Sequence, residues 1–290
     1  GRARWSLVAV ASAALGLLSI GVMLAYTGYG YDFTDEGFYL VRISDPFADA
    51  PAVSQFGIVY YPFYRLLGGS IAGLRQFNLL VMFFGAACLC AIAIRQQGRL
   101  TNGPTLLFVS LGIASTSLLF IFWFLVTPSY NSLALQGLIA AASGLLLAQR
   151  EARLSSVAGW LLTGFGGWLV FLAKPPGAAL LALLALIYLA TMRKLRLPLV
   201  LLAIGFTLLL LLGTAFVVDG SIAGFVERIR GGVERLALLE GRTTSKILRW
   251  DSFAPYRIEK LLIGALALWT LAMLGLTSAG NALARVLGQA

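Results

Sequence analysis

The sequence contains no histidine, and charged residues make up only 12% of its 290 residues. A soluble domain carries about 25% charged residues, because polar groups must cover its surface. At half that share, with 59% hydrophobic residues and a mean hydropathy of +0.88, the chain cannot cover the surface of a globule. The composition therefore disfavours a soluble enzyme, a disordered chain and a nucleic-acid-binding domain, despite the net charge of +10. It predicts a polytopic membrane protein.

The missing residue types also narrow the chemistry. Without histidine, no His base, His-ligated metal or Ser–His pair can form. The two cysteines, Cys88 and Cys90, are two positions apart in one apolar run, where helical spacing points them in different directions. We therefore expect packing residues rather than a disulfide. No P-loop, Rossmann glycine fingerprint or C-x-x-C motif is present.

Apolar runs define the predicted architecture, since a membrane helix needs ~20 mostly apolar residues. Eight runs qualify, at about 6–27, 72–94, 104–126, 130–148, 157–173, 176–192, 197–218 and 260–278. They predict an all-α polytopic protein with about eight transmembrane helices in a single domain over residues 1–290. The two short runs on either side of Lys174-Pro175-Pro176 are expected to be two spans joined by a tight turn rather than one broken helix. The first run exceeds the length of a signal-peptide core and is expected to remain as a span.

The distribution of charges predicts the topology, because cytoplasmic loops are enriched in Lys and Arg. With Arg2 and Arg4 in the cytoplasm, the basic short loops also fall on that side. These loops carry Arg95, Arg99, Arg150, Arg153, Arg193, Lys194 and Arg196. Of the twelve acids, only Glu151 is then cytoplasmic, and the others lie in two long extracytoplasmic segments, about 28–71 and 219–259. Because chemistry is usually carried on loops above a rigid scaffold, the function is predicted on the extracytoplasmic face.

The first of these segments contains a predicted short helix at about residues 35–44. Thr34 is the expected N-cap, and the helix should end before Pro46. Asp35 and Glu36 open this helix, and Tyr39 shares a face with Asp35. The two acids either stabilise the helix dipole or include a general base at the membrane surface, and their spacing does not decide between these interpretations.

Aromatic residues follow in the same segment. The sequence Phe-Gly-Ile-Val-Tyr-Tyr-Pro-Phe-Tyr at 56–64 is typical of an interfacial helix with an aromatic belt. The alternative is a groove wall for a lipid chain or a sugar ring, with Tyr39, Tyr60 and Tyr61 as candidates. Arg75, near the start of the second span, either reaches lipid headgroups or faces an anionic ligand. Lys174 is the one cation in a short extracytoplasmic loop, and it likewise serves either as a helix-end lysine or as an anion ligand.

The second extracytoplasmic segment is predicted to contain an amphipathic helix. Apolar and charged residues over 221–240 follow helical spacing, with a kink or break expected at Gly231-Gly232. The cations Arg242, Lys246, Arg249 and Arg257 follow it. They would contact anionic headgroups or form a clamp over a phosphate.

Four of these features resemble the GT-C superfamily of polytopic glycosyltransferases. They are Asp-Glu-Gly-Phe-Tyr-Leu at 35–40 between the first two spans, the aromatic stretch around Pro62 that follows it, Leu-Arg at 74–75 entering the second span, and Lys-Pro-Pro-Gly at 174–177. The similarity is to the bacterial members related to protein O-mannosyltransferases and to the aminoarabinose transferase of lipid A. It covers about residues 1–190.

The resemblance implies a mechanism and a location. The protein would act at the bacterial inner (plasma) membrane, with a periplasmic active face, and would use a sugar on a polyprenyl phosphate as co-substrate. Asp35, with its neighbour Glu36, would take the catalytic position, and Lys174 and Arg75 would bind the donor phosphate. Asp32, Asp35 and Glu36 could also supply oxygen ligands to a divalent cation, although no protein metal site is assigned.

The sequence also departs from this family. The chain is shorter than most members and begins with Gly, so we expect a processed, incomplete or minimal member. The alternative function is a non-catalytic membrane subunit of a larger complex built on a GT-C-like scaffold. Membrane lipids and protein subunits are the other expected partners, and nucleic acid is not. A transporter ranks third, because the spans carry almost no ionisable residues and show no inverted repeat.

Overall fold

A computed structural model describes residues 2–32, 35–48, 51–96, 103–122, 125–149 and 153–240. Every regular element within these ranges is helical. The α-helices are α1 (Arg2–Ala25), α2 (Asp35–Ser44), α3 (Phe56–Leu66), α4 (Ile71–Gln96), α5 (Gly103–Ala114), α6 (Tyr130–Ala148), α7 (Arg153–Ala173), α8 (Pro175–Thr191), α9 (Leu197–Asp219) and α10 (Ile222–Glu240). A 3-10 helix over Ser115–Phe122 continues α5. The chain divides into two compact units, Gly1–Glu234 and Arg235–Ala290, and only residues 235–240 of the second are described.

Long apolar helices dominate the first unit. Six helical segments in the described ranges are long and apolar enough to cross a membrane, and α8 is a shorter apolar helix of 17 residues. The protein is therefore an α-helical membrane protein. The run predicted at 260–278 lies outside the described residues.

The boundaries of two predicted runs can be compared with the structure. The turn at Lys174 separates α7 from α8 as predicted, because Pro175 and Pro176 occupy the first helical positions of α8, where proline is tolerated. The third run was predicted to end at about residue 126, and the described helix ends at Phe122, with residues 125–129 not helical. Ser129 instead begins α6, and its hydroxyl accepts hydrogen bonds from the backbone N–H groups of Asn131 and Ser132.

Small residues allow α6 and α7 to pack closely. A Cβ atom on Gly159 of α7 would lie 2.3 Å from the backbone nitrogen of Ala148, and one on Gly166 would lie 2.5 Å from that of Ala141. No side chain larger than that of glycine fits at these two positions, as is common where small residues let membrane helices approach closely. These two helices make the most extensive helix–helix contact among the described elements.

The two ends of the bundle differ. At one end, the side-chain amide of Gln96 donates to the carbonyl of Leu146, and Lys194 Nζ donates to Gln149 Oε1 at 3.0 Å. These contacts bring the ends of α4, α6 and α8 to one side, together with the cations Arg95 and Lys194. The opposite end, which we call the loop end, carries α2, α3, the turn at Lys174 and the start of α10.

The first loop folds into α2 and α3. The helix predicted at about 35–44 is confirmed as Asp35–Ser44. Thr34, its predicted N-cap, lies outside the described residues. The Asp35 N–H donates to the Asp32 carboxylate at 3.0 Å. Gly57 at the start of α3 lies so close to α2 that a Cβ there would be 2.0 Å from the Arg42 carbonyl oxygen.

Helix α10 is amphipathic, as predicted, and it runs from Ile222 to Glu240, so of the kink or break expected at Gly231-Gly232 the break is absent. The glycine at 232 serves close packing instead: a Cβ there would lie 2.4 Å from the carbonyl carbon of Ala52. Arg228 anchors the start of α10 to the end of α9 through a hydrogen-bonded ion pair with Asp219, at 2.7 Å.

Candidate functional site

Three aromatic rings from three helices form the floor of the candidate site. Tyr39 of α2 contacts Phe56 of α3 and Tyr130 of α6 edge to face, with ring centroids 5.7 and 5.8 Å apart. Phe56 and Tyr130 are 6.2 Å apart, which closes the triangle. Edge-to-face packing of this kind fixes ring orientation as well as burying apolar area. The aromatic triangle, Tyr39–Phe56–Tyr130, therefore holds the first loop on α6.

Lys174 lies against one corner of the aromatic triangle. Its Nζ donates to Asn131 Oδ1 at 2.6 Å and lies 4.8 Å from the centroid of the Tyr130 ring. Although the residue is exposed, packing around its ammonium removes water and lowers the pKa of Lys174 below the ordinary 10.5. The ammonium is thus held in place and is less strongly hydrated than that of a free lysine side chain.

Asp35 lies near the opposite corner. It is exposed, at the first position of α2, one turn before Tyr39. Burial is the main reason that the pKa of Tyr39 is raised. The neighbouring Tyr130 side chain and the nearby charges of Asp35 and Asp32 raise it further. Tyr39 therefore stays protonated. It lies one turn after the exposed Asp35 and packs on Tyr130, the ring that the Lys174 ammonium contacts.

Glu36 points the other way, into the bundle, and is only 2% exposed. Its Oε1 accepts from Arg75 Nη2 at 2.6 Å and from Arg75 Nε at 2.9 Å. The Thr127 hydroxyl donates to the same oxygen, and the Asp32 N–H donates to Oε2 at 2.9 Å. Glu36 is thus bonded to α4 and to the segment before α6, and it joins the first loop to both.

Arg75 is equally enclosed, at 6% exposure. Besides Glu36, it donates to the carbonyls of Thr27, Tyr29 and Gly30 at 2.7, 3.1 and 2.7 Å. These contacts occupy the five N–H donors of a guanidinium. The side chain neither extends toward headgroups nor presents a donor without a partner, so an anion would have to displace a protein acceptor to bind it.

Tyr60 differs from the aromatic-belt interpretation of its segment, because it is 1% exposed. Its hydroxyl donates to Gln136 Oε1 at 2.8 Å, and the Gln136 amide donates to Asn78 Oδ1 at 2.8 Å. Asn78 in turn donates to the Val126 carbonyl at 2.7 Å. This buried polar chain connects α3, α6 and α4. Tyr61, in contrast, is half-buried and packs edge to face on Phe47 at 5.9 Å.

An apolar groove of about 410 Å³ opens beside Tyr60. Its walls come from α3, α4, α6 and α7, and it extends along α4 from Phe77 to Ile92. Tyr60 lines this groove, whereas Tyr39 and Tyr61 do not. Its length along a membrane-crossing helix and its apolar walls suit a hydrocarbon chain.

The remaining predicted ligands are not assembled into a metal site. Among the described residues, no three His, Cys, Asp or Glu side chains lie close enough to hold a metal ion together. Arg242, Lys246, Arg249 and Arg257, the predicted clamp, lie outside the described residues.

We find no match to this chain among protein-family models, characterised proteins or solved structures. The similarity to GT-C enzymes therefore rests on the short motifs quoted above.

Sequence reasoning did not identify Tyr130, Asn131 and Thr127 as site residues. Each lies in or beside the uncharged loop that begins α6, and nothing in the spacing of that loop indicates which partners it meets. The helix-start signal Pro128-Ser129 was the available clue, because it places the next side chains at the same end as Lys174.

Proposed function

We propose that the protein is a membrane glycosyltransferase that moves a sugar from a polyprenyl-phosphate donor to an extracytoplasmic acceptor. The observation that carries this proposal is that Tyr39, one turn after the exposed Asp35 in α2, packs on the Tyr130 ring, against which the Lys174 ammonium lies. An exposed carboxylate and an ammonium held in position at the same end of the bundle are two groups that such a transfer requires.

In this proposal, Asp35 removes the proton from an acceptor hydroxyl or amine. The acceptor atom bonds to the anomeric carbon of the sugar, and the bond from that carbon to the phosphate oxygen breaks. The electron pair leaves with the lipid phosphate, and the Lys174 ammonium stabilises the charge that develops there. Asn131 and the Tyr130 ring would keep that ammonium in position.

The apolar groove beside Tyr60 supports a lipid-linked donor. A polyprenyl chain needs a long apolar surface within the membrane, and this groove follows α4 from the loop end inward. Tyr60 would then contact the lipid near its phosphate end, while Tyr39 and Tyr61 belong to the loop above it.

Glu36 and Arg75 receive a different role from the one that the motif suggests. Because they neutralise each other and their hydrogen-bonding groups have protein partners, we assign them to positioning. They hold α2 so that Asp35 faces outward. Donor phosphate binding would then depend on Lys174 rather than on Arg75.

The proposal includes a complete topology. The protein would have eight transmembrane helices in a GT-C-like arrangement, with its N-terminus in the cytoplasm of a bacterium. The loop end would face the periplasm, and the basic short loops would face the cytoplasm. Derivatisation of single cysteines placed at Ser221 and Lys194, in intact cells, would test this orientation.

The decisive experiment measures sugar transfer and release of polyprenyl phosphate by the full chain in liposomes, with a panel of labelled polyprenyl-phosphate sugars. Asp35→Asn keeps the size of the side chain but removes the base, and should slow transfer by about 10²–10⁴-fold. Lys174→Gln should slow it by about 100-fold.

Matched controls come from the same chain. Asp45→Asn removes another exposed acid of the first loop, and Lys194→Gln removes a lysine that also bonds a side-chain amide oxygen, at the other end of the bundle. Both should keep full activity. If wild type transfers and Asp35→Asn transfers equally well, the assignment of Asp35 fails. If wild type transfers no sugar from the panel but copurifies with a larger complex at fixed stoichiometry, the non-catalytic subunit becomes the better explanation.

A further inference from the structure

A second cavity, of about 220 Å³, lies between α7, α8 and α9. Its lining extends along α8 from Ala178 to Leu189 and along α9 from Val200 to Leu208. At about 1.5 Å of rise per residue, the lined part of α8 is ~16 Å long. Most of the lining is apolar, and none of it belongs to the groove beside Tyr60. A long, narrow apolar cavity of this kind suits a hydrocarbon chain.

Trp160 of α7 gives this cavity a buried polar group. The residue lines the cavity and is 3% exposed, and its indole N–H has no hydrogen-bond acceptor among the described residues. The hydroxyls of Thr163 and Thr207, which also line the cavity, donate to backbone carbonyls at 2.9 and 2.8 Å. A buried donor without an acceptor is unfavourable, and such groups normally find a partner in the protein, in water or in a ligand. A ligand with an acceptor atom would satisfy Trp160.

The Trp160 end of the cavity lies beside the short connection between α8 and α9. Trp160 packs with Leu189, near the end of α8, and with Val200, near the start of α9. The Lys194 N–H donates to the Leu189 carbonyl at 2.9 Å, and the Val200 N–H donates to the Arg196 carbonyl at 3.1 Å. The connection is therefore bonded directly to two residues that line the cavity.

The charge of this connection favours an anion. Its sequence, Met-Arg-Lys-Leu-Arg at 192–196, carries three cations and no acid, and Arg193 and Arg196 are exposed. A guanidinium binds phosphate well, because its planar fork of donors matches the phosphate oxygens. In a phospholipid, the ester carbonyls lie between the phosphate and the acyl chains. Such a molecule presents an anion, an acceptor and a chain in the same order as the arginines, Trp160 and the apolar cavity.

We propose that this cavity, which we name the Trp160 cavity, binds an acyl chain of an anionic glycerophospholipid, whose ester carbonyl accepts a hydrogen bond from the Trp160 indole N–H. The phosphate of the same lipid contacts Arg193 and Arg196. A neighbouring transmembrane helix is a poor substitute, because its backbone carbonyls already accept hydrogen bonds within the helix. The inference does not depend on the glycosyltransferase proposal, because neither Asp35 nor Lys174 lines the cavity.

The test is native mass spectrometry of the full chain released from nanodiscs that contain equal amounts of diester and diether phosphatidylglycerol. The two lipids share a headgroup and a chain length, but only the diester has a carbonyl oxygen for Trp160. We expect wild type to retain the diester about threefold to tenfold more strongly, as one hydrogen bond would give. Equal retention of the two lipids by wild type would overturn the proposal without any substitution.

Two variants in α7 test whether the indole causes this difference. Trp160→Phe keeps an aromatic ring and removes the N–H, so the diester and the diether should be retained equally. Trp168→Phe is the matched control, because the Trp168 indole already donates to the Thr214 hydroxyl at 3.0 Å and the residue lies outside the lining. It should keep the wild-type ratio. An unchanged ratio in Trp160→Phe, with normal thermal unfolding, would contradict the hydrogen bond.

Two further comparisons test the chain and the phosphate. Ala185→Phe fills the cavity and should lower the retention of both lipids by about threefold or more, whereas Ala179→Phe, an exposed position of α8 outside the lining, should not. Arg193→Gln combined with Arg196→Gln should lower the preference for phosphatidylglycerol over phosphatidylcholine by about threefold to tenfold. Full retention by Ala185→Phe would show that the chain lies elsewhere, and an unchanged headgroup preference would remove the phosphate contact.

Discussion

Arg75 and Lys174 are two cations at the same end of the bundle, yet their surroundings differ in almost every respect. Arg75 is buried, paired with Glu36, and donates all its N–H groups to protein acceptors. Lys174 is exposed and contacts one amide oxygen and one ring. The comparison shows how a membrane protein uses the two cations differently. The rigid guanidinium suits a closed internal network, and the compact ammonium suits a position where a ligand can approach.

The largest effect is expected from Arg75→Ala. Removing the guanidinium leaves the Glu36 carboxylate buried without its cation and three loop carbonyls without their donors. Breaking a buried pair from one side costs about 3–5 kcal/mol. The free energy of unfolding in mixed micelles should fall by that amount, whereas Arg65→Ala, an exposed arginine of α3, should change it by less than about 0.5 kcal/mol. Equal effects of the two variants would contradict the structural role of Arg75.

Arg75→Lys separates charge from geometry. Lysine keeps the positive charge beside Glu36 but brings only three N–H donors, without the planar fork that reaches Thr27, Tyr29 and Gly30. We expect an intermediate loss of about 1–3 kcal/mol, because some carbonyls lose their partner while Glu36 keeps a cation. The same unfolding measurement checks it. Stability equal to that of wild type would mean that charge alone matters.

Alkaline pH should remove the charge of Lys174 but not that of Arg75. Lysine carries its charge below its pKa, so the lowered pKa of Lys174 moves the loss of its ammonium to a pH below the ordinary 10.5. Transfer activity should therefore begin to fall before that pH, approaching about tenfold per pH unit. Because a guanidinium stays charged throughout this range, Lys174→Arg should remove the alkaline fall in whatever activity it retains. The pH dependence of transfer in liposomes, measured for wild type and for Lys174→Arg, checks this. The same alkaline fall in both proteins would argue against Lys174 as the group that stabilises the leaving phosphate.

The smallest effect is expected from Lys174→Gln on stability. Lys174 is an exposed residue at the surface of the bundle, and one hydrogen bond and one ring contact at such a position contribute little to stability. The free energy of unfolding should change by no more than about 1 kcal/mol, even though transfer activity falls strongly. A loss as large as that of Arg75→Ala would show that Lys174 is part of the scaffold.

The sequence predicted what depends on neighbouring residues along the chain. The short helix α2 follows from acids at its start and Pro46 beyond its end, and the break at Lys174 follows from two prolines. Composition and apolar runs were enough to predict a helical membrane protein. Each of these features depends on residues close together in the chain, so the sequence pattern is enough to predict it.

What the sequence missed depends on residues far apart in the chain. The pairing of Glu36 with Arg75, and the loop carbonyls around them, depend on how α1, α2 and α4 meet. Tyr60 belongs to an aromatic stretch that is typical of a membrane interface. Its side chain is nevertheless buried, because α3 packs closely on α2 where Gly57 meets the Arg42 backbone. Gly231 and Gly232 of α10 favoured a kink or break in the sequence pattern. In the structure, Gly232 lets the backbone near Ala52 approach the helix closely.

The segment between α2 and α3 depends on residues that are synthesised much later. The Gln55 N–H donates to the Leu172 carbonyl at 2.7 Å, and the Ala52 N–H donates to the Arg228 carbonyl at 3.2 Å. Synthesis at about 5–20 residues per second makes Arg228 available roughly 10–35 s after this segment. The Ala52 N–H therefore gains its partner on α10 only after most of the helices have been synthesised, so this contact is one of the last that the first loop can form.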